Sequence, residues 1–122
     1  MDAMTLAESL QELQRSSGLQ MAAIVSADGL VIDASATDEV DVESVCSVAS
    51  NGLLMMEALG QELSDGVSRI TTLEYDRHTV VMAPLDEDNL LVLVAGQGIN
   101  LGRIRIVLRR KLTEFSQQIA SV

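Results

Sequence analysis

This chain of 122 residues contains one cysteine, one histidine, one lysine, one proline, two aromatic residues and no tryptophan. Each scarcity removes a class of chemistry. Cys46 alone cannot close an internal disulfide, and Cys46 and His78 together are too few to build a Cys/His zinc site. The sole lysine, Lys111, follows Arg110 in a basic run, so the Gly-Lys-Ser/Thr loop of a P-loop nucleotide hydrolase is absent. Tyr75 and Phe115 are the only aromatics and the net charge is −10, which excludes the stacking platforms and the positive field on which nucleic-acid binding rests. No apolar run approaches the ~20 residues that a spanning helix needs. Met1-Asp2-Ala3-Met4 lacks the basic cluster and apolar stretch of a secretory signal, so a cytoplasmic protein without direct membrane insertion is expected. No repeat and no Pro/Gly-rich linker interrupts the chain, and residues 1–122 read as a single domain.

What is present is a hydrophobic fraction of 48% and an uneven charge. Residues 1–102 hold 17 acidic and three basic side chains, whereas residues 103–122 hold five basic and one acidic. The C-terminal segment is therefore a basic element on an acidic body, serving either to neutralise its own domain or as a docking face.

Local patterns give eight elements. Thr5 and Glu8 have capping-box spacing ahead of Leu6, Leu10 and Leu13, and Ser16-Ser17-Gly18 stops that helix. Residues 19–26 and 30–35 read as strands joined at Ala27-Asp28-Gly29, a turn that needs the positive φ of glycine. An acidic connector (Asp38, Glu39, Asp41, Glu43) leads into a long helix over 42–59, with Gly60 expected as its left-handed cap. Those carboxylates lack the glycine and closing glutamate of a calcium loop, and capping the helix is their simpler use. Strands follow over 67–75, 79–85 and 90–95. Asn100 is placed to cap a last helix whose Leu101, Ile104, Leu108, Leu112, Phe115 and Ile119 form a helical stripe.

Leu90 to Ala95 and Met21 to Val25 carry no polar residue on either pleat face and belong at the centre of the sheet. Tight turns make that five-stranded sheet antiparallel, with helices on both faces and strands 30–35 and 67–75 at its edges. The edge strand 67–75 has little charge protection. It is satisfied either by pairing with its own copy across a two-fold axis, which we favour, or by twist and cover within one chain. Candidate dimer-interface residues are Val67, Arg69, Ile70, Thr71, Thr72, Leu73 and Tyr75.

In the long helix, apolar positions Val42, Val45, Cys46, Val48, Ala49, Gly52, Leu53, Met55, Met56 and Leu59 span about 180°, wider than the ~100° that covers one sheet face. The opposite side carries Ser44, Ser47, Asn51 and Ala58 around Leu54, small side chains that would let a partner approach. Met55 and Met56 read equally as an adaptable patch or as core filler. Cys46 reads as an inert small hydrophobe and His78 as an exposed turn residue. Gly96-Gln97-Gly98 lacks the third glycine of a dinucleotide turn. No catalytic, cofactor-binding or metal-binding residue is assigned.

The order and spacing of Ser17-Gly18-Leu19, Ala23-Ile24-Val25-Ser26, Asp28-Gly29-Leu30-Val31-Ile32, the long helix, Val81-Met82-Ala83-Pro84-Leu85 and Leu90 to Val94 resemble the roadblock/dynein light chain family over nearly the whole chain. The resemblance implies an α/β (α+β) three-layer sandwich of profilin-like or longin-like type. It also implies a homodimer in which strand 67–75 pairs with its twin into a ten-stranded sheet, with helices 42–59 side by side. Family members are not themselves enzymes of known chemistry; they scaffold or regulate Ras-like small GTPases or serve as dynein light chains. The final helix departs from the shorter dynein light chains and favours the prokaryotic regulators. On that reading Ser47, Asn51, Leu54, Met55 and Ala58 would contact a small GTPase, and Arg69 and Arg77 are arginine candidates by residue type only. An assembly scaffold without effect on GTP hydrolysis would instead dock an acidic partner through Arg103 and Arg110. A PAS-like small-molecule sensor is the third reading, opposed by the missing polar groups on the central strands.

Overall fold

The computed structural model describes residues 4–66 and 68–120; Val67 lies outside the described residues. Three helices and five strands follow in the order α1 (Leu6–Ser16), β1 (Met21–Ser26), β2 (Val31–Ala36), α2 (Val42–Glu62), β3 (Thr71–Glu74), β4 (Thr79–Pro84), β5 (Asn89–Ala95) and α3 (Leu101–Ala120). The sheet is antiparallel throughout, in the order β2-β1-β5-β4-β3. The two strands without polar residues are thus central or next to centre, and β2 and β3 are its edges.

Period-two alternation divides the core in two. Ala22, Ile24, Leu91, Leu93 and Ala95 pack with Leu10 and Leu13 of α1 and Ile104, Leu108 and Phe115 of α3. Met21, Ala23, Val25, Leu90, Val92 and Val94 point the other way, against Cys46, Ala49 and Leu53 of α2. Two helices therefore cover one face of the sheet and a single helix covers the other. Burying each large aliphatic side chain contributes about 1.5–3 kcal/mol, and Phe115 is fully enclosed.

Local chemistry fixes the elements in these positions. The Glu8 amide donates to Thr5 Oγ1 at 3.2 Å and the Thr5 amide to Glu8 Oε1 at 3.4 Å, completing the capping box. Asn100 Oδ1 accepts the Arg103 amide at 3.1 Å and starts α3. Gly29 has φ 88° and brings the β1–β2 turn so close to α2 that a Cβ there would lie 3.2 Å from Ser50 Oγ. Gln118 Nε2 near the end of α3 donates to the buried Ser9 hydroxyl at 2.8 Å and to the Met4 carbonyl at 3.0 Å, joining α3 to the start of α1.

Two expectations are corrected. Gly60 does not cap α2; it is buried inside the helix, which runs to Glu62. The reversal comes one turn later. Ser64 takes φ 53°, its amide reaches the Gln61 carbonyl at 3.1 Å, and the Asp65 amide reaches the Gly60 carbonyl at 3.0 Å. The same paired bonds close α1 around Gly18, at φ 65°, so one helix ends on glycine and the other forces serine into a conformation its Cβ disfavours. Second, the edge strand is four residues long rather than nine. The Ser68 and Thr71 hydroxyls bond each other at 2.8 Å, and Ile70 turns inward against the α1/α3 core, so pairing begins only at Thr71.

Ser64→Gly should raise stability by about 0.5–1 kcal/mol by relieving the left-handed serine. Urea unfolding checks this through a higher midpoint at unchanged m-value.

Candidate interaction surfaces

The one-helix face of the sheet is incomplete. α2 packs over β1, β2 and β5, and beside it the β4–β3 end carries Thr71 and Leu73 opposite Met82 and Val80 on the same face. Between helix and strands runs a cleft of about 460 Å³ lined by Ser44, Val45, Val48, Ala49, Gly52, Leu73, Tyr75, Val80 and Met82. Apart from Ser44 and the Tyr75 hydroxyl, its walls are apolar. Among the described residues no strand pairs with the outer edge of β3.

The helix wall continues outward. Val48, Met55, Leu59 and Leu63 are 72%, 76%, 61% and 66% exposed, and Leu73 and Tyr75 face them at 39% and 63%. At 100° per residue Val48, Met55 and Leu59 share one outer ridge, which adjoins the flank of Val45, Gly52 and Met56. Val48 and Leu59 were grouped with the core arc by spacing alone. The excess width of that arc was the signal that part of it would stay outside. The methionines divide accordingly, with Met55 on the ridge and Met56 half-buried, its sulfur accepting the Thr71 hydroxyl at 2.7 Å.

Ser47, Asn51, Leu54 and Ala58 are all exposed, but on the opposite flank of α2, the side that passes the β1–β2 turn at Gly29. Met55 sits with the ridge instead. The five positions grouped from sequence are therefore split between two surfaces. Among the interface candidates, Thr71, Thr72 and Leu73 lie on β3 and Tyr75 just after it, whereas Arg69 and Ile70 precede the strand. Val67 lies outside the described residues.

Helix α3 also separates its cations. Arg103 and Arg110 lie seven residues apart on the side turned away from the core. Arg105 and Arg109 lie beside the buried stripe, where they meet Arg69 around Ile70 and Leu112 in a second cleft of about 610 Å³. Arg77 is exposed in the β3–β4 turn.

The reactive groups are quiet. Cys46 is fully buried, and burial raises its thiol from the ordinary 9.0 to about 11. His78 is exposed in a turn and its carbonyl accepts the Tyr75 amide at 2.8 Å. Asp41 of the acidic connector accepts both the amide and the hydroxyl of Ser44, at 3.3 and 2.9 Å, as a helix cap does. Among the described residues no group of three or more His, Cys, Asp or Glu is placed to hold a metal ion, and no helix is long and apolar enough to cross a membrane.

Residues 5–95 match the Roadblock/LC7 domain family. The chain belongs to that family. It is 33% identical over 101 residues to MJ0310, an uncharacterized protein of Methanocaldococcus jannaschii, covering 83% of this chain and 88% of that one. In fold it is similar to Myxococcus xanthus MglB, with a TM-score of 0.87 at 16% identity over 96% of both chains. It also resembles Schizosaccharomyces pombe profilin, with a TM-score of 0.60 at 18% identity over 90% of this chain and 98% of that one. The family match stops at β5, whereas the likeness to MglB spans nearly the whole chain, α3 included.

Native Cys46 should resist a disulfide reagent at pH 8 and react at once in denaturant. The raised thiol pKa also gives a signed pH effect. Its contribution to stability is complete below pH 9, because both states then keep the proton. It falls as pH rises from 9 toward 11, where only the unfolded chain ionises. Labelling and denaturant titrations across that range check both statements.

Proposed function

We propose that two copies of this chain pair through β3 and the outer ridge of α2, and that the paired helices form a noncatalytic platform that regulates or scaffolds a Ras-like small GTPase. The observation that carries this reading is the continuity of the open β3 edge with the apolar cleft and ridge, in a member of the Roadblock/LC7 family. Myxococcus xanthus MglB has the same fold, and the small-GTPase regulators that the roadblock/dynein light chain resemblance implies support a GTPase as the class of partner.

Magnitudes decide how the pair is held. A four-residue strand doubled on its twin adds only a few backbone hydrogen bonds, each worth about 0.5–1.5 kcal/mol net. Association costs on the order of 4–15 kcal/mol in lost freedom. Strand pairing supplies register, and burial of Val48, Met55, Leu59, Leu73 and Tyr75 must supply most of the affinity, at about 25 cal/mol per Å². A second α2 laid along the first would close each cleft and leave Ser47, Asn51, Leu54 and Ala58 on the open surface for the GTPase. Binding that favours one nucleotide state shifts populations without itself accelerating hydrolysis, so scaffold and activator differ only in turnover.

Val48→Asp and Met55→Asp should convert the dimer to a folded monomer. Leu54→Asp should leave the dimer intact and weaken GTPase binding at least tenfold. Light scattering coupled to gel filtration reads the first effect, and titration of small GTPases from the same organism reads the second. Wild-type protein should bind the GTP-loaded and GDP-loaded forms with affinities at least tenfold apart. Equal affinities, or no binding together with unchanged turnover, would remove the GTPase from the proposal.

A further inference from the structure

On the sheet face opposite α2, three arginines line one cleft, and among the described residues no carboxylate lines it with them. Arg69 comes from the segment just before β3, and Arg105 and Arg109 lie one turn apart on α3. All three are exposed. Among the described residues none of them makes a hydrogen bond or ion pair; the one ion pair there joins Lys111 to Glu114 at 3.3 Å. What sets these three apart is their meeting in one cleft, in a chain with 18 acidic residues and only eight Lys and Arg. Half-buried Ile70 and Leu112 lie between the arginines and give the cleft an apolar floor.

We infer that this cleft binds an acidic peptide segment of a partner protein, one that carries a bulky apolar side chain between its carboxylates. Guanidinium forks match carboxylates two bonds at a time. Three of them, spread over a helix turn and the approach to β3, suit charges distributed along a chain. The apolar floor receives the side chain between those charges. A compact phosphate is the poorer match, because no helix N-terminus and no glycine turn lines the cleft to offer converging backbone amides. At about 610 Å³ the open cleft has room for a bulky side chain lying between its charged neighbours. The cleft opens on the face opposite α2, so a partner on the α2 ridge does not cover it, and Arg105 and Arg109 lie on α3, away from the β3 edge.

The probe is a fluorescein-labelled decapeptide in which glutamates flank a central leucine pair, titrated into the full-length protein at 50 and 150 mM salt. A peptide with serine in place of leucine and inorganic triphosphate serve as competitors. The site predicts saturable binding that Arg105→Glu with Arg109→Glu weakens at least tenfold. Arg103→Glu with Arg110→Glu, the same charge change on the far side of α3, should shift it less than twofold. The serine peptide should compete at least fivefold less well than the leucine peptide. Equal losses in the two double variants would reduce the effect to diffuse attraction and overturn the site. Failure of the labelled peptide to saturate would do the same. Competition by triphosphate as effective as that by the leucine peptide would make it a phosphate site and overturn the peptide reading. Circular dichroism and dimer mass, measured on the same variants, keep this result separate from the role assigned to α2.

Discussion

Everything in this fold follows from an imbalance between a five-stranded sheet and the helices available to cover it. Strands spaced about 4.8 Å apart make a surface roughly twice as wide as one helix with its side chains. α1 and α3 together close one face. On the other face α2 is alone, lying over β2, β1 and β5, and the apolar side chains at the β3 end stay open to water. Lengthening α2 beyond Gly60 does not help, because the deficit is across the strands and not along them. On the proposed reading a second copy of the same surface is the simplest cover, since its α2 carries a ridge that no described residue of its own chain covers.

The same imbalance orders the roles of the two faces. The α1/α3 face is covered by two helices and tied across by Gln118 to Ser9 and by Ser116, whose hydroxyl donates to the Leu85 carbonyl at 3.0 Å. What it presents outward is charge, carried by α3, the element that follows the part of the chain matching the Roadblock/LC7 family. The α2 face presents apolar surface at one flank and small polar side chains at the other. Apolar burial favours lasting association, while exposed charge favours steered and reversible contact. On the proposed reading, one chain thereby separates the surface that pairs with its copy from surfaces free to recruit a partner.

Much of this was legible from residue order. The uninterrupted apolar runs at Met21–Val25 and Leu90–Ala95 are buried on both pleat faces, and the six-residue stripe of α3 lies against the sheet. Gly29 has the positive φ its turn needs, because a two-strand reversal leaves few alternatives. Where the reading departed from the structure, a tertiary contact decided. Gly60 carries the strongest local stop signal of α2, yet the helix absorbs it and turns at Ser64. The β-branched run ahead of Tyr75 reads as strand through 67–75, but Ile70 finds more burial in the α1/α3 core than in the ladder. Spacing showed that α2 had too wide an apolar arc, and could not say that Val48 and Leu59 were the part left over. The meeting of Arg69 with Arg105 and Arg109 joins residues far apart in sequence, and no local pattern announces it.

Amide hydrogen exchange followed as a function of protein concentration tests the imbalance most directly. Protection at Thr71–Glu74 should rise with concentration through the association midpoint, together with reduced exchange along the outer ridge of α2, while β1 and β5 stay equally protected throughout. Protection at Thr71–Glu74 that is independent of concentration, in a species that scatters light as a single chain, would contradict the account.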